Sequence, residues 1–401
     1  MPRKSVALVV ALALNLAASP TVPGGARQQP APASAFQFRA EQIASDFGVG
    51  YAVATGDIDA DGRTDVVAIN GTDLVWFAAP KFDKRVMLAG ATPRDNVCIA
   101  LQDIDRDGRL DVALGASWQP TNTTSGGTLH WVRQGGPAAD ARWELYPIGE
   151  EPTLHRIRWA DVDGDKRAEL VVTPLHGRGT KGPEWEGAGA RVLVFRVPAN
   201  PQQDVWPVEV ADESLHILHN FLVTNFDSDP PDELLTASRE GVTLLDRGAK
   251  GTWSRTLIGE GAPGEIKLGR VGGRRALATV EPWHGKSVVV YVEGQAAGGV
   301  WARTVIESGI AGGHALGWAD FDRDGTDDLA VGWRDGNPGL AVYSVDSNGA
   351  LRGKVMVDDG GMATEDLAVA DLNGDQKPDI VASGRATRNV KIYWNETVSA
   401  K

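Results

Sequence analysis

The stretch Asp57-Ile58-Asp59-Ala60-Asp61-Gly62-Arg63-Thr64-Asp65-Val66-Val67-Ala68-Ile69 runs from an acidic loop into a β-branched segment, and the pattern recurs along the chain. Further copies begin at Asp103, Asp161, Asn225, Asp320 and Asp371, so successive starts lie 46, 58, 64, 95 and 51 residues apart. The longest interval is about twice the others. A missing copy falls within residues 268–280, where Leu277-Ala278-Thr279-Val280 keeps the apolar run without the carboxylates. Seven units of roughly 50 residues with strand-type patterning predict an all-β chain folded as a seven-bladed β-propeller.

Each unit reads as four strands. An extended segment such as Trp143 to Ile148 opens it, and a second strand leads into the acidic loop. A β-branched run follows, and a strand such as Val288 to Val292 or Val390 to Trp394 closes the unit. In the second strand His155, Ile157 and Trp159 alternate onto one face, as do His314, Leu316 and Trp318. The segment from Phe36 to Ile43 has the character of the opening strand, while the last unit stops at Trp394, one strand short. The N-terminal strand is therefore expected to complete the final blade and close the ring.

The propeller is expected to span residues 36–397. Residues 1–18 combine Arg3 and Lys4 with a short apolar run, the pattern of a signal peptide, and residues 19–35 read as a flexible leader. A secreted or periplasmic location follows as the expectation. That run is too short to span a bilayer. The single Cys98 has no partner for an intramolecular disulfide. A formal net charge of −13 argues against nucleic acid or an anionic membrane as the main partner. The expected partner is a small molecule or an oligosaccharide.

Positions 1, 3, 5 and 9 of each acidic phrase supply oxygen ligands suited to Ca²⁺, and glycine at position 6 permits a sharp turn. The sets are Asp57, Asp59, Asp61 and Asp65; Asp103, Asp105, Asp107 and Asp111; Asp161, Asp163, Asp165 and Glu169. Two more are Asp320, Asp322, Asp324 and Asp328, and Asp371, Asn373, Asp375 and Asp379. Position 12 falls inside a strand (Ala68, Leu114, Val172, Val331), so these are β-hairpin loops, not EF-hands. Position 6 is Lys166 in the third repeat, Gln376 in the seventh and Pro230 in the fourth, which makes the fourth the weakest. Three to five structural Ca²⁺ sites are expected. The pattern resembles the FG-GAP (VCBS) repeats of integrin-α-type propellers.

Three of the seven histidines share one register. His155, His219 and His314 each lie six residues before their metal loop, where the seventh repeat has Glu365 and the first has Tyr51. That position is at the far end of the innermost strand, near the axis. The next strand returns to the same face with His176, His284, Arg334 and Arg385. The insertion at residues 177–189, carrying Arg178 and Trp185, should overhang this face. Neutral imidazoles ligate Zn²⁺ or another divalent ion and act as general bases near neutral pH. Trp185, Trp283 and Trp333 offer rings for stacking on a sugar, with Arg178 as a polar contact. No nucleophile elbow, P-loop or dinucleotide fingerprint is present.

The phrases Gly313-His314-Ala315-Leu316-Gly317-Trp318-Ala319-Asp320 and Gly361-Met362-Ala363-Thr364-Glu365-Asp366 resemble the propeller part of the aldos-2-ulose dehydratase (anhydrofructose dehydratase) family. The resemblance implies a secreted carbohydrate lyase that removes water, or another leaving group, from a keto sugar by metal-assisted proton abstraction. The resemblance is to the propeller part of that family, and any activity of its C-terminal domains is not expected of this sequence. The alternative is a non-catalytic, calcium-stabilised propeller that binds glycans or a protein partner on the same face.

Overall fold

The computed structural model describes residues 36–137, 142–294 and 299–398. The expected signal peptide and leader, residues 1–18 and 19–35, lie outside them. Twenty-eight strands, numbered β1 to β28 in chain order, form seven four-stranded antiparallel sheets, and the described residues contain no helix. Seven strands lie innermost: β2 (Ala52–Gly56), β6 (Cys98–Gln102), β10 (Leu154–Ala160), β14 (Asn220–Thr224), β18 (Glu265–Val271), β22 (Gly313–Ala319) and β26 (Thr364–Ala370). Each packs on the inner strands either side, and β26 meets β2, so the blades form a ring.

Burial follows position in the blade. The second strand of the first blade, β3 (Asp65–Ile69), and the third strand of the fifth, β20 (Ser287–Val292), are buried almost throughout. Neighbouring blades cover both faces of each sheet, so apolar residues run consecutively there and do not alternate. The outermost strand of the first blade, β5 (Asp83–Ala89), exposes Asp83, Lys84, Arg85 and Val86. Charge along such an edge discourages strand addition. In the last blade the outermost strand is β1 (Phe38–Ala44), paired antiparallel with β28 (Val390–Asn395). The Trp394 indole donates to Glu41 at 2.8 Å across that pair.

The unit without carboxylates is explained by its turn. β18 joins β19 (Arg274–Glu281) through Gly272 and Gly273, with φ of 54° and 76°. Two consecutive positive-φ residues close a tight hairpin, and no room remains for a metal loop. In the acidic loops other than the fourth, where position 6 is Pro230, that position is left-handed: Gly62 has φ 84°, Lys166 68° and Gln376 64°. A side chain in that region is strained. Gln376→Gly is expected to stabilise the protein by about 0.5 kcal/mol, the strain relieved less the added chain entropy. The check is a higher urea midpoint at unchanged slope.

Three inner strands carry a β-bulge at the register identified above. Leu154 and Arg156 pair with Pro174 and Thr173, which leaves His155 as the extra residue. His314 is skipped between Gly313 and Ala315, and Glu365 between Thr364 and Asp366, in the same way. A bulge breaks the two-residue alternation and re-aims side chains. Both His155 and Arg156 therefore reach the axial end of the ring.

Candidate functional site

The register residues meet in a cavity of about 210 Å³ at one end of the axis. Its lining includes His155, His176, His219, His284, His314, Arg334, Glu365 and Arg385, together with Tyr51, Trp118, Trp185 and Trp283. Two residues taken for ligand contacts lie elsewhere. Trp333 is in the core between blades, its Nε1 donating to the Asn337 carbonyl at 2.7 Å. Arg178 turns away to the buried carboxylate of Glu151 at 2.7 Å, where Arg191 also binds. That pairing anchors the insertion, and Arg239 holds its far side through Glu186 at 2.9 Å. Arg156 lines the cavity but was not anticipated, because strict alternation places it on the face opposite His155.

Main-chain carbonyls orient the imidazoles. His155 Nδ1 lies 2.7 Å from the His219 carbonyl, His219 Nδ1 2.5 Å from that of Gly264, and His314 Nδ1 2.5 Å from that of Glu365. Each ring thus leans on the next blade. A carbonyl only accepts, so Nδ1 carries the proton and Nε2 presents its lone pair. At His155 that lone pair accepts from Arg156 at 3.1 Å. His284 is arranged oppositely: Arg334 donates to its Nδ1 at 3.1 Å, so Nε2 holds the proton and donates to His219 Nε2 at 2.5 Å.

Burial, with the nearby guanidinium and imidazole groups adding to it, lowers the histidine pKa values: well below the ordinary value for His155, His219 and His314, and to about 2 for His284. Burial alone brings His176 to about 4. All five are neutral at pH 7. One ring nitrogen from each of His219, His284 and His314 falls within a 4.8 Å cluster. His219 and His314 present lone pairs that fit a divalent ion, and His284 would join them through Nε2 in its other tautomer, with the proton on Nδ1 and the contact with Arg334 given up. Glu365 is buried and bridges Arg334 at 2.6 Å and Arg385 at 2.8 Å. His176 stacks on Trp185 with ring centroids 3.7 Å apart, and its buried Nδ1 has no partner among the described residues. The Trp283 Nε1 is unpartnered too.

The acidic loops lie at the other end of the inner strands. Position 1 accepts from the amides of positions 5 and 6, as in Asp57 from Asp61 at 3.0 Å and Gly62 at 2.8 Å. Position 9 accepts from position 2, as in Asp65 from Ile58 at 3.0 Å. Asp59 Oδ1, Asp105 Oδ1, Asp161 Oδ1 and Glu233 Oε1 are buried without partners, which an ion at the loop centre would satisfy. The fourth repeat also gathers Asp227, Asp229 and Glu233 despite Pro230. In the second repeat Arg133 donates to Asp105 at 2.5 Å and so competes with an ion there.

A model of the aldos-2-ulose dehydratase β-propeller domain matches residues 126–294, and one of the FG-GAP-like repeat matches residues 57–114 and 320–382. Aldos-2-ulose dehydratase of Phanerodontia chrysosporium is 26% identical over 342 residues, 76% of this chain and 36% of that protein. The match thus spans about a third of the relative's length. Among solved structures, virginiamycin B lyase of Staphylococcus aureus has a TM-score of 0.56 at 12% identity, covering 89% of this chain and 99% of that one. An Agrocybe aegerita lectin described as recognising non-reducing terminal N-acetylglucosamine has a TM-score of 0.50 at 13% identity, covering 77% and 80%. These two likenesses bear on the fold alone. With seven blades, acidic hairpin loops and both repeat and domain matches, the chain is a seven-bladed β-propeller that carries FG-GAP-like repeats and resembles the propeller domain of aldos-2-ulose dehydratase.

Proposed function

We propose that the protein is a carbohydrate lyase that eliminates water, or another leaving group, from a keto sugar in the histidine-lined cavity. The observation that carries this reading is the convergence of neutral imidazoles with an Arg–Glu–Arg cluster and three tryptophans in that one cavity. A divalent ion bound at His219, His284 and His314 would supply Lewis acidity toward a ketone oxygen. His176, a neutral imidazole in the cavity wall, takes the proton from the carbon beside the ketone. The electron pair left behind forms the carbon–carbon double bond, the C–O bond one carbon further breaks, and the departing hydroxyl leaves as water with a proton. Arg334 and Arg385, steadied by Glu365, stabilise the oxyanion that develops in between. Trp185 and Trp283 hold the ring, and the walls exclude water. The acidic loops, on this reading, bind Ca²⁺ and brace the blades from the opposite end.

The test is incubation with 1,5-anhydrofructose and with a 3-keto glycoside, following the ultraviolet absorbance of the enone product. Sugar binding without any enone would leave the non-catalytic reading in its place. Trp185→Ala is expected to raise KM about 5- to 10-fold and to change kcat less, since stacking acts on the bound sugar before and during the reaction alike.

A further inference from the structure

A second cavity, of about 840 Å³, occupies the axis beyond the histidines and is lined by the inner strands of all seven blades. Arg156 and Val97 border both cavities, so the channel begins where the histidine site ends. Its charged groups are Arg156 and Arg158 from β10, Lys267 from β18 and Asp366 from β26, with Glu265 of β18 buried beside them. Three cations face two carboxylates, a net charge of one positive.

These charges are not paired with one another. Among the described residues, none of the three cations has a carboxylate oxygen within 4.0 Å. Asp366 accepts the Val53 and Leu367 amides at 3.0 Å. Glu265 is 3% exposed, and its Oε1 has no partner. Burial weighs on both signs, lowering the pKa of Lys267 and Arg158 and raising that of Glu265 and Asp366. Unpaired charge in such a place is unfavourable unless something neutralises it. Water satisfies the hydrogen bonds but leaves the net charge.

We propose that the channel is a second binding site, separate from the histidine cavity, for a small hydroxylated monocarboxylate such as a sugar acid. One negative charge brings the channel to neutrality, whereas a dianion would overload it beside Glu265 and Asp366. The planar guanidinium of Arg158 matches a carboxylate in two-oxygen geometry, and the Lys267 ammonium adds a point charge. Hydroxyl groups find the side-chain amide of Asn220, which lines the channel. The volume suits a six-carbon chain with ordered water.

Calorimetric titration of the full chain with gluconate, sorbitol and sulfate tests this. Gluconate is expected to bind one to one, and sorbitol not at all. Lys267→Met and Arg158→Met should each weaken gluconate about 10- to 100-fold, the loss of one hydrogen bond to a charged group. Trp185→Ala should leave gluconate affinity unchanged, because that residue lines only the histidine cavity. The proposal is overturned by any of four results: no gluconate binding into the tens of millimolar, equal binding of sorbitol, tighter binding of sulfate, or loss of gluconate binding in Trp185→Ala. The wild-type titrations decide the first three of these points even if one channel variant fails to fold. They are independent of turnover, so an absence of lyase activity leaves the proposal standing.

Discussion

Chelation with EDTA at pH 8 is expected to lower the melting temperature by about 10 °C or more, and re-added Ca²⁺ to restore it. Each site saturated at a hundred times its dissociation constant contributes about 2.7 kcal/mol to the native state, and three such sites rival the stability of a whole domain. Spread over the unfolding entropy of a chain this long, that sum gives the stated shift. The proton competes for the same oxygens. Burial, reinforced by neighbouring carboxylates, pushes the position 9 carboxyls up, to about 6 in Asp65, Asp111 and Asp379, about 7 in Glu169 and Glu233, and about 8 in Asp328. Raised folded-state values mean that the metal-free fold binds more protons than the unfolded chain between about pH 4 and 8. The chelated protein should therefore lose stability as pH rises through that window, and the EDTA effect should be larger at pH 8 than at pH 5. Asp320→Ala is expected to cost more than Asp227→Ala, since Pro230 distorts the fourth loop. A melting curve unmoved after verified removal of Ca²⁺ would contradict the calcium reading.

Alanine at His176 is expected to cut turnover of a keto sugar about 10²- to 10⁴-fold, the range for loss of an acid–base group, and alanine at His219 or His314 to do at least as much by removing a ligand of the ion. The calcium-linked melting transition should survive, because these side chains lie at the opposite end of the inner strands from the loops. Arg385→Ala should lower kcat and kcat/KM together, as removal of a contact made in the transition state does. Arg334→Ala should in addition cost stability, since it strips the buried Glu365 of one of its two cations. Enone release followed by absorbance checks all five variants. Full turnover in the histidine variants would sink the assignment of this face as catalytic.

Much of this was open to reading in the chain itself. The spacing of the acidic phrases counted seven units across the gap at residues 268–280, because a repeat signals itself through local composition. The shared offset of His155, His219, His314 and Glu365 put them at one end of the axis, since equivalent positions in a ring share a radius and a height. Tertiary structure alone decided which neighbours joined them. The bulges at His155, His314 and Glu365 break a period of two that sequence reasoning must assume, and through one of them Arg156 enters the cavity. Trp333 went to the core and Arg178 to Glu151, as the packing of adjacent blades and a partner 27 residues away decided. The guanidinium of Arg133 against Asp105 comes from a strand beyond the loop. Repetition along the chain encodes the number and phase of the blades, whereas the aim of each side chain depends on contacts between segments distant in sequence, which no local pattern records.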